Sequence, residues 1–163
     1  MSNIWFTSDT HFGSKSLHQW YPLRASLGDY VQQTEAMIER WNSVVQSKDI
    51  VYHIGDFGSY DEVYNTKVIR QLKGRIHLVP GNHDKRLLKN TGIIERCSLI
   101  YTERVVNVSV NGQPIVLCHF PIWEWHNIHR GYWHLHGHLH CKPHGIPGKI
   151  MDVSSDGHNL TPI

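Results

Sequence analysis

The chain has 163 residues, 40% of them hydrophobic and 18% charged, with a formal net charge of +2. That balance excludes a disordered or fibrous chain, fits one domain over 1–163 that buries roughly 70% of its unfolded surface, and gives no electrostatic reason to hold a nucleic-acid polymer or a membrane. The anomaly is histidine, present 14 times and crowded after His119, because imidazole is the commonest transition-metal ligand and a frequent proton carrier.

Asn3 to Ser8 reads as a buried strand that stops at Asp9. In the connection that follows, Arg24 is a candidate phosphate contact, since a guanidinium matches phosphate oxygens bidentately, and His18 is a second candidate to reach a substrate. Glu35 to Val45 carries Met37, Ile38, Trp41, Val44 and Val45 at the spacing of an amphipathic helix, with Thr34 or Asp29 as its cap. Lys48 to Ile54 is a second strand, ending at Gly55-Asp56. Asp61 to Leu72 is helical, with Val63, Val68, Ile69 and Leu72 inward and Gly74 beyond its end. Arg75 to Val79 is a third strand, closed by Pro80-Gly81-Asn82-His83-Asp84. Alternating strands and helices imply parallel crossovers.

The second half changes character. Arg104 to Val110 and Gln113 to Cys118 flank Asn111-Gly112, a hairpin signal, so this half reads as antiparallel. His119 to Gly131 is an aromatic-rich loop or short helix, and Trp133 to His136 and Lys149 to Ser154 are further strands. Trp123, Trp125, Tyr132 and Trp133 read as packing rather than a base-stacking wall, and His126 and His129 as loop or capping residues. Asp152, Asp156 and His158 have no assigned role, although a bond from Asp156 to a ligand histidine fits their position. Cys97, Cys118 and Cys141 are odd in number and widely spaced, which favours free thiols. No apolar stretch is long enough to span a bilayer and a strand begins almost at once, so residence in the cytoplasm is expected.

Asp9-Thr10-His11, Gly55-Asp56, Gly81-Asn82-His83-Asp84, Cys118-His119 and Gly137-His138-Leu139-His140 each follow a predicted strand. Parallel strands place their C-terminal ends along one rim, so five loops should converge there. Carboxylate, amide and imidazole without thiolate suit two divalent cations, and residues i and i+2 of an extended chain, such as Asp9 with His11 or His138 with His140, point the same way.

In this order the motifs resemble the full signature of the calcineurin-like metallophosphoesterases, and Ser8-Asp9-Thr10-His11-Phe12-Gly13, Trp41-Asn42 and Val51-Tyr52-His53-Ile54-Gly55-Asp56-Phe57 look most like the small bacterial and phage branch. The resemblance implies an α/β fold, a four-layer α-β-β-α sandwich of two mixed sheets flanked by helices. It implies a hydrolase in which Asp9, His11, Asp56 and His140 hold one metal and Asp56, Asn82, His119 and His138 the other, with manganese first and iron or zinc as alternatives. A metal-bridging hydroxide would attack phosphorus, His83 would be the general acid, and Asp84 would orient it. The substrate it implies is a small phosphate ester, nucleotide-like. Protein serine/threonine phosphatases carry Asp-Arg-Gly and Gly-Asn-His-Glu where this chain has Gly58-Ser59-Tyr60 after Asp56 and Asp84 after His83, which argues against a protein substrate. His83 stands where diester-only members often carry cysteine, so monoesters and diesters both stay open. A nuclease would need a basic groove that the charge balance does not suggest, and a non-catalytic scaffold would not need the full ligand set. Oligomeric state is not legible.

Overall fold

The structure, a computed structural model, describes residues 2–17, 20–59 and 61–163; His18 lies outside the described residues. Strands β1 (Ile4–Thr7), β2 (Ile50–His53), β3 (Arg75–Leu78) and β4 (Leu99–Ile100) form a sheet in that order, parallel at every pairing. The connections carry α1 (Pro22–Ala25), α2 (Tyr30–Val44), α3 (Glu62–Gln71) and α4 (Thr91–Arg96). Helix α2 begins at Tyr30 rather than Glu35 because a capping box starts it: the Asp29 carboxylate accepts from the Val31 and Gln32 amides while Gln32 reaches back to the Asp29 amide. The apolar stripe that marks the helix in the sequence begins only at Met37, about two turns after this start. Asp61 caps α3 through the Tyr64 amide. Met37, Ile38 and Trp41 of α2 and Val68 and Ile69 of α3 then pack on Val51, Ile76 and Leu78 of the sheet, and the Trp41 indole N–H is satisfied by the Lys73 carbonyl.

A second sheet follows the order β5 (Val105–Val110), β6 (Gln113–Cys118), β7 (Trp133–His136), β8 (Ile150–Asp152). The hairpin is as expected, with Asn111 and Gly112 both at positive φ. The remaining pairings, β6 with β7 and β7 with β8, are parallel, so the antiparallel expectation holds for one connection only. The physical reason is the 119–132 segment: a parallel neighbour needs a crossover of about a dozen residues, and this segment supplies it. The first sheet is parallel throughout and only the second is mixed. Ile54 and Val79 of the first sheet's strand ends meet Ile115, Leu117, Leu135 and Val153 between the two sheets. The 119–132 crossover covers the outer side of the second sheet, where Trp125 packs on His134.

Ser8 and Ser154 pair in parallel and join the sheets where β1 and β8 end. The C-terminal ends of β1, β2, β3, β6, β7 and β8 therefore reach one rim. No helix among the described residues is long and apolar enough to cross a membrane.

Two core histidines make the fold acid-sensitive. Burial pushes His53, which faces Trp41 and Phe57, down to about 3 despite the nearby Asp9 and Asp56. Burial also pushes His134 down to about 4, against the bond from its ring to the Val116 carbonyl. A depressed histidine is neutral when folded and takes up a proton on unfolding, so its stabilisation is present above pH 6.5 and fades as pH falls toward 3–4. The unfolding free energy of the metal-free protein, from urea titrations, should fall steadily from pH 7 to 4.5, by about 2–3 kcal/mol for each of the two residues. His134→Gln should flatten that slope, and a flat wild-type profile would contradict the assignment.

Candidate metal centre

Six strand ends deliver the polar residues. Asp9 and His11 follow β1, Asp56 follows β2, Asn82 to Asp84 follow β3, His119 follows β6, His138 and His140 follow β7, and Asp156 follows β8. The chain is not extended at these points. Asp9, His11, Asp56, His138 and His140 all lie at φ between 44° and 71°, a left-handed region that costs a residue with a side chain about 1–2 kcal/mol. Backbone strain gathered in one place is a mark of a functional site. Because of these kinks the i, i+2 pairs behave differently: Asp9 and His11 converge, whereas His140 sits beside Asp9 and His138 sits edge-on to His119 and Phe120.

Gly81 and Gly137 are at ordinary φ, and their lack of a side chain serves space rather than torsion. A Cβ on Gly81 would overlap Asp56 Oδ1, and one on Gly137 would overlap Asp9 Oδ2 and Ser8 Oγ.

The two carboxylates are buried and handled alike. Asp9 Oδ2 accepts from the His138 amide at 2.9 Å and Ser154 Oγ at 2.9 Å, while Asp9 Oδ1 is buried without a hydrogen-bond partner, 3.5 Å from His140 Nε2 and 3.8 Å from His11 Nε2. Asp56 Oδ1 accepts from the His83 amide at 2.9 Å, and Oδ2 lies 3.3 Å from His119 Nε2 and 3.6 Å from His11 Nε2. In each case one oxygen is clamped and the other is turned toward imidazoles. Burial by itself would raise both carboxyls, but the histidines around them hold both below the ordinary range, Asp9 far below.

His119 shows what the cluster lacks. Its Nδ1–H donates to the Ile54 carbonyl at 2.9 Å, which leaves the Nε2 lone pair facing Asn82 Oδ1 at 3.0 Å and Asp56 Oδ2 at 3.3 Å. A lone pair aimed at two oxygens repels them unless a proton or a cation lies between. In keeping with this, Asp56 and Asp9 raise the His119 ring above the ordinary value although burial lowers it. Asp9, His11 and His140 bring donor atoms together, as do Asp9, Asp56 and His119, so Asp9 takes part in both groups. Oxygen and nitrogen donors, an orphaned buried carboxylate oxygen and lone pairs aimed at one another are what divalent cations would satisfy. Burial and the neighbouring His119 push the His138 ring below its ordinary value.

His83 stands apart from this packed group. It is 48% exposed, its ring meets His11 edge-on, and its Nε2 is 4.0 Å from Asp56 Oδ2. The expectation that Asp84 orients His83 is corrected: the Asp84 carboxylate is fully buried and accepts from the backbone amides of Asp56, Phe57 and Gly81 at 2.7–3.0 Å. Neighbouring side chains point opposite ways here, His83 outward and Asp84 inward, so Asp84 ties the Asp56 loop to the Gly81 loop. Burial raises its carboxyl.

Arg24 is also corrected. It is 2% exposed, in α1, and its guanidinium is consumed by Asp156, Ser155 Oγ and the carbonyls of Asp9 and Thr10, so it does not face a substrate. Asp156 makes the bond to a ligand histidine that its position suggested, accepting from His140 Nδ1–H at 2.6 Å. The signal for it was the strand β8, whose parallel direction brings residues 154–156 to the same rim. A cavity of about 780 Å³ opens at the cluster, lined by His11, His83, His138 and His140 and also by Lys15 and Tyr30.

The family model for calcineurin-like phosphoesterases matches residues 2–157. A protein of uncharacterised function from Methanocaldococcus jannaschii is 27% identical over 143 residues, 86% of this chain and 71% of that protein. The gene 66 protein of mycobacteriophage L5 is 39% identical over 88 residues, 52% of this chain and 41% of the phage protein. The crystal structure of a protein of unknown function from Aquifex aeolicus superposes with a TM-score of 0.76 at 21% identity, covering 100% of this chain and 95% of the other, a likeness of fold.

Proposed function

Because the chain belongs to the calcineurin-like phosphoesterase family and is accordingly a metal-dependent hydrolase of phosphate esters, we propose that it works as one catalytic domain with two metal positions, on a small, nucleotide-like ester. One position is assigned to Asp9, His11, Asp56 and His140, the other to Asp56, Asn82, His119 and His138. The observation that carries this reading is the buried Asp9–Asp56 pair, whose unclamped oxygens face the Nε2 atoms of His11, His119 and His140 while Asp9 Oδ1 has no hydrogen-bond partner among the described residues. Divalent cations bound there would activate a water molecule for in-line attack and offset charge on the phosphoryl oxygens. Manganese is the first candidate, with iron or zinc next, because the donors are oxygen and imidazole without thiolate.

The protein's own groups do the rest. Clamping one oxygen of each carboxylate fixes the direction of the other, so the site needs little rearrangement during reaction. His83, exposed at the cavity wall, donates its proton to the departing ester oxygen. The cavity supports a small substrate, since about 300–1,000 Å³ is the usual range for such pockets, and Lys15 Nζ lies over the Tyr30 ring at 5.2 Å, a wall suited to an anionic or aromatic group.

The test is metal removal and return. Chelator-stripped protein should lose hydrolysis of bis-p-nitrophenyl phosphate and regain it as manganese approaches two per chain by elemental analysis. Saturation at one metal per chain would sink the two-metal reading. A parallel screen of cyclic nucleotides, dinucleotides, nucleoside monophosphates and short single strands identifies the ester class, and turnover of the single strands alone would point to a nuclease.

A further inference from the structure

Arg24 and Asp156 form a buried pair that hydrolysis, as derived above, does not use. Both are nearly inaccessible, and Arg24 grips the carboxylate with two bonds, Nε to Oδ1 at 2.5 Å and Nη2 to Oδ2 at 3.1 Å. The same guanidinium donates to the Thr10 carbonyl at 2.9 Å and the Asp9 carbonyl at 2.8 Å. One side chain from α1 therefore locks the loop after β1 to the loop after β8.

The other end of the pair is His140. Its ring is stacked between Tyr21, at 4.8 Å, and His11, at 5.4 Å, which sets the plane of the imidazole. Stacking leaves open the 180° flip of the ring about its Cβ–Cγ bond. The Nδ1–H bond to Asp156 Oδ2 at 2.6 Å closes it and aims Nε2 at the unpartnered Asp9 Oδ1. His119 has only a neutral carbonyl, Ile54, behind its Nδ1.

We propose that Arg24 and Asp156 are positioning residues for one metal position alone, the one served by His140, so that the two positions can be weakened separately from outside the ligand set. This rests on the two-metal reading above. A carboxylate behind a ligand histidine fixes its tautomer and direction, and removing such a partner lowers metal affinity by about 10–100-fold. Arg24 holds that carboxylate bidentately, a geometry that lysine does not reproduce.

The experiment is a calorimetric titration of metal-free protein with Mn²⁺, with free Mn²⁺ followed by electron paramagnetic resonance. Asp156→Asn should weaken one binding step by about 10–100-fold and leave the other within about twofold. Arg24→Lys should weaken the same step by less. Thermal melts of the metal-free variants separate this from general damage, which would weaken both steps together. Equal losses at both steps, or none, would overturn the proposal. A wild type that binds a single Mn²⁺ would instead refute the two-metal reading, and the effect of Asp156→Asn on that single step would still decide the positioning role. Should neither variant fold, the imidazole ¹H–¹⁵N spectrum of the wild type is decisive: His140 must appear as a protected Nδ1–H, and an Nε2–H tautomer contradicts the proposal.

Discussion

Asp56→Asn is expected to lose metal at both positions and to lower hydrolysis by about 10³–10⁴-fold, the equivalent of several kcal/mol of charge stabilisation in the transition state. The substitution is nearly isosteric, and an asparagine Oδ1 can still accept from the His83 amide, so the loop itself should survive. What changes is the other atom. Asp56 Oδ2 is the oxygen that faces both His119 Nε2 and His11 Nε2, residues assigned to different metals. A neutral amide there offsets less of the repulsion between two cations and presents hydrogens if the NH₂ is turned inward. Metal content and kcat on bis-p-nitrophenyl phosphate, measured on one preparation, check the claim. Two tightly held metals with activity within tenfold of wild type would refute a shared carboxylate. His11→Ala should weaken mainly the position it serves.

His83→Ala should keep its metal and still lose about 10²–10⁴-fold on esters with poor leaving groups, the range typical of a missing general acid. His83 is half-exposed at the cavity wall rather than packed among the buried donors, so its removal should leave the ligand cluster standing. The effect ought to depend on the leaving group. A p-nitrophenolate departs with little need of a proton, whereas a ribose alkoxide must be protonated as its bond to phosphorus breaks. Comparing bis-p-nitrophenyl phosphate with a cyclic nucleotide, each with bound metal quantified, separates the two cases. Equal losses on both would assign His83 to transition-state charge stabilisation instead.

Local patterns in the chain were enough for the elements whose signals are local. The strands ending at Asp9, Asp56 and Asn82, helix α3, and the Asn111-Gly112 hairpin are all visible as short runs with recognisable ends, although Val63 in the first turn of α3, expected inward, is exposed. The four-residue α1 and the two-residue β4 are not flagged by a run of branched or aromatic residues with a marked end, and neither is legible. The direction of β7 and β8 depends on which neighbour each finds across a long crossover, and no residue within either strand encodes that.

The same division runs through the site. The order of motifs from Asp9 to His140 determined the family, the class of reaction and the set of candidate donors, because metal chemistry restricts residue type and each donor stands at a strand end that local pattern reveals. The partners of Arg24 and Asp84, and the pairing of Asp156 with Arg24, were decided only by the tertiary structure. Arg24 as an isolated residue suits a phosphate as well as it suits a carboxylate, and Asp84 beside a histidine looks like its orienting partner. Folding buried Asp84 under three backbone amides from two loops and brought Asp156 to Arg24 across 132 positions of sequence. A buried charge must be matched by whatever groups the chain brings to it, and those groups come from strand ends far apart in the chain.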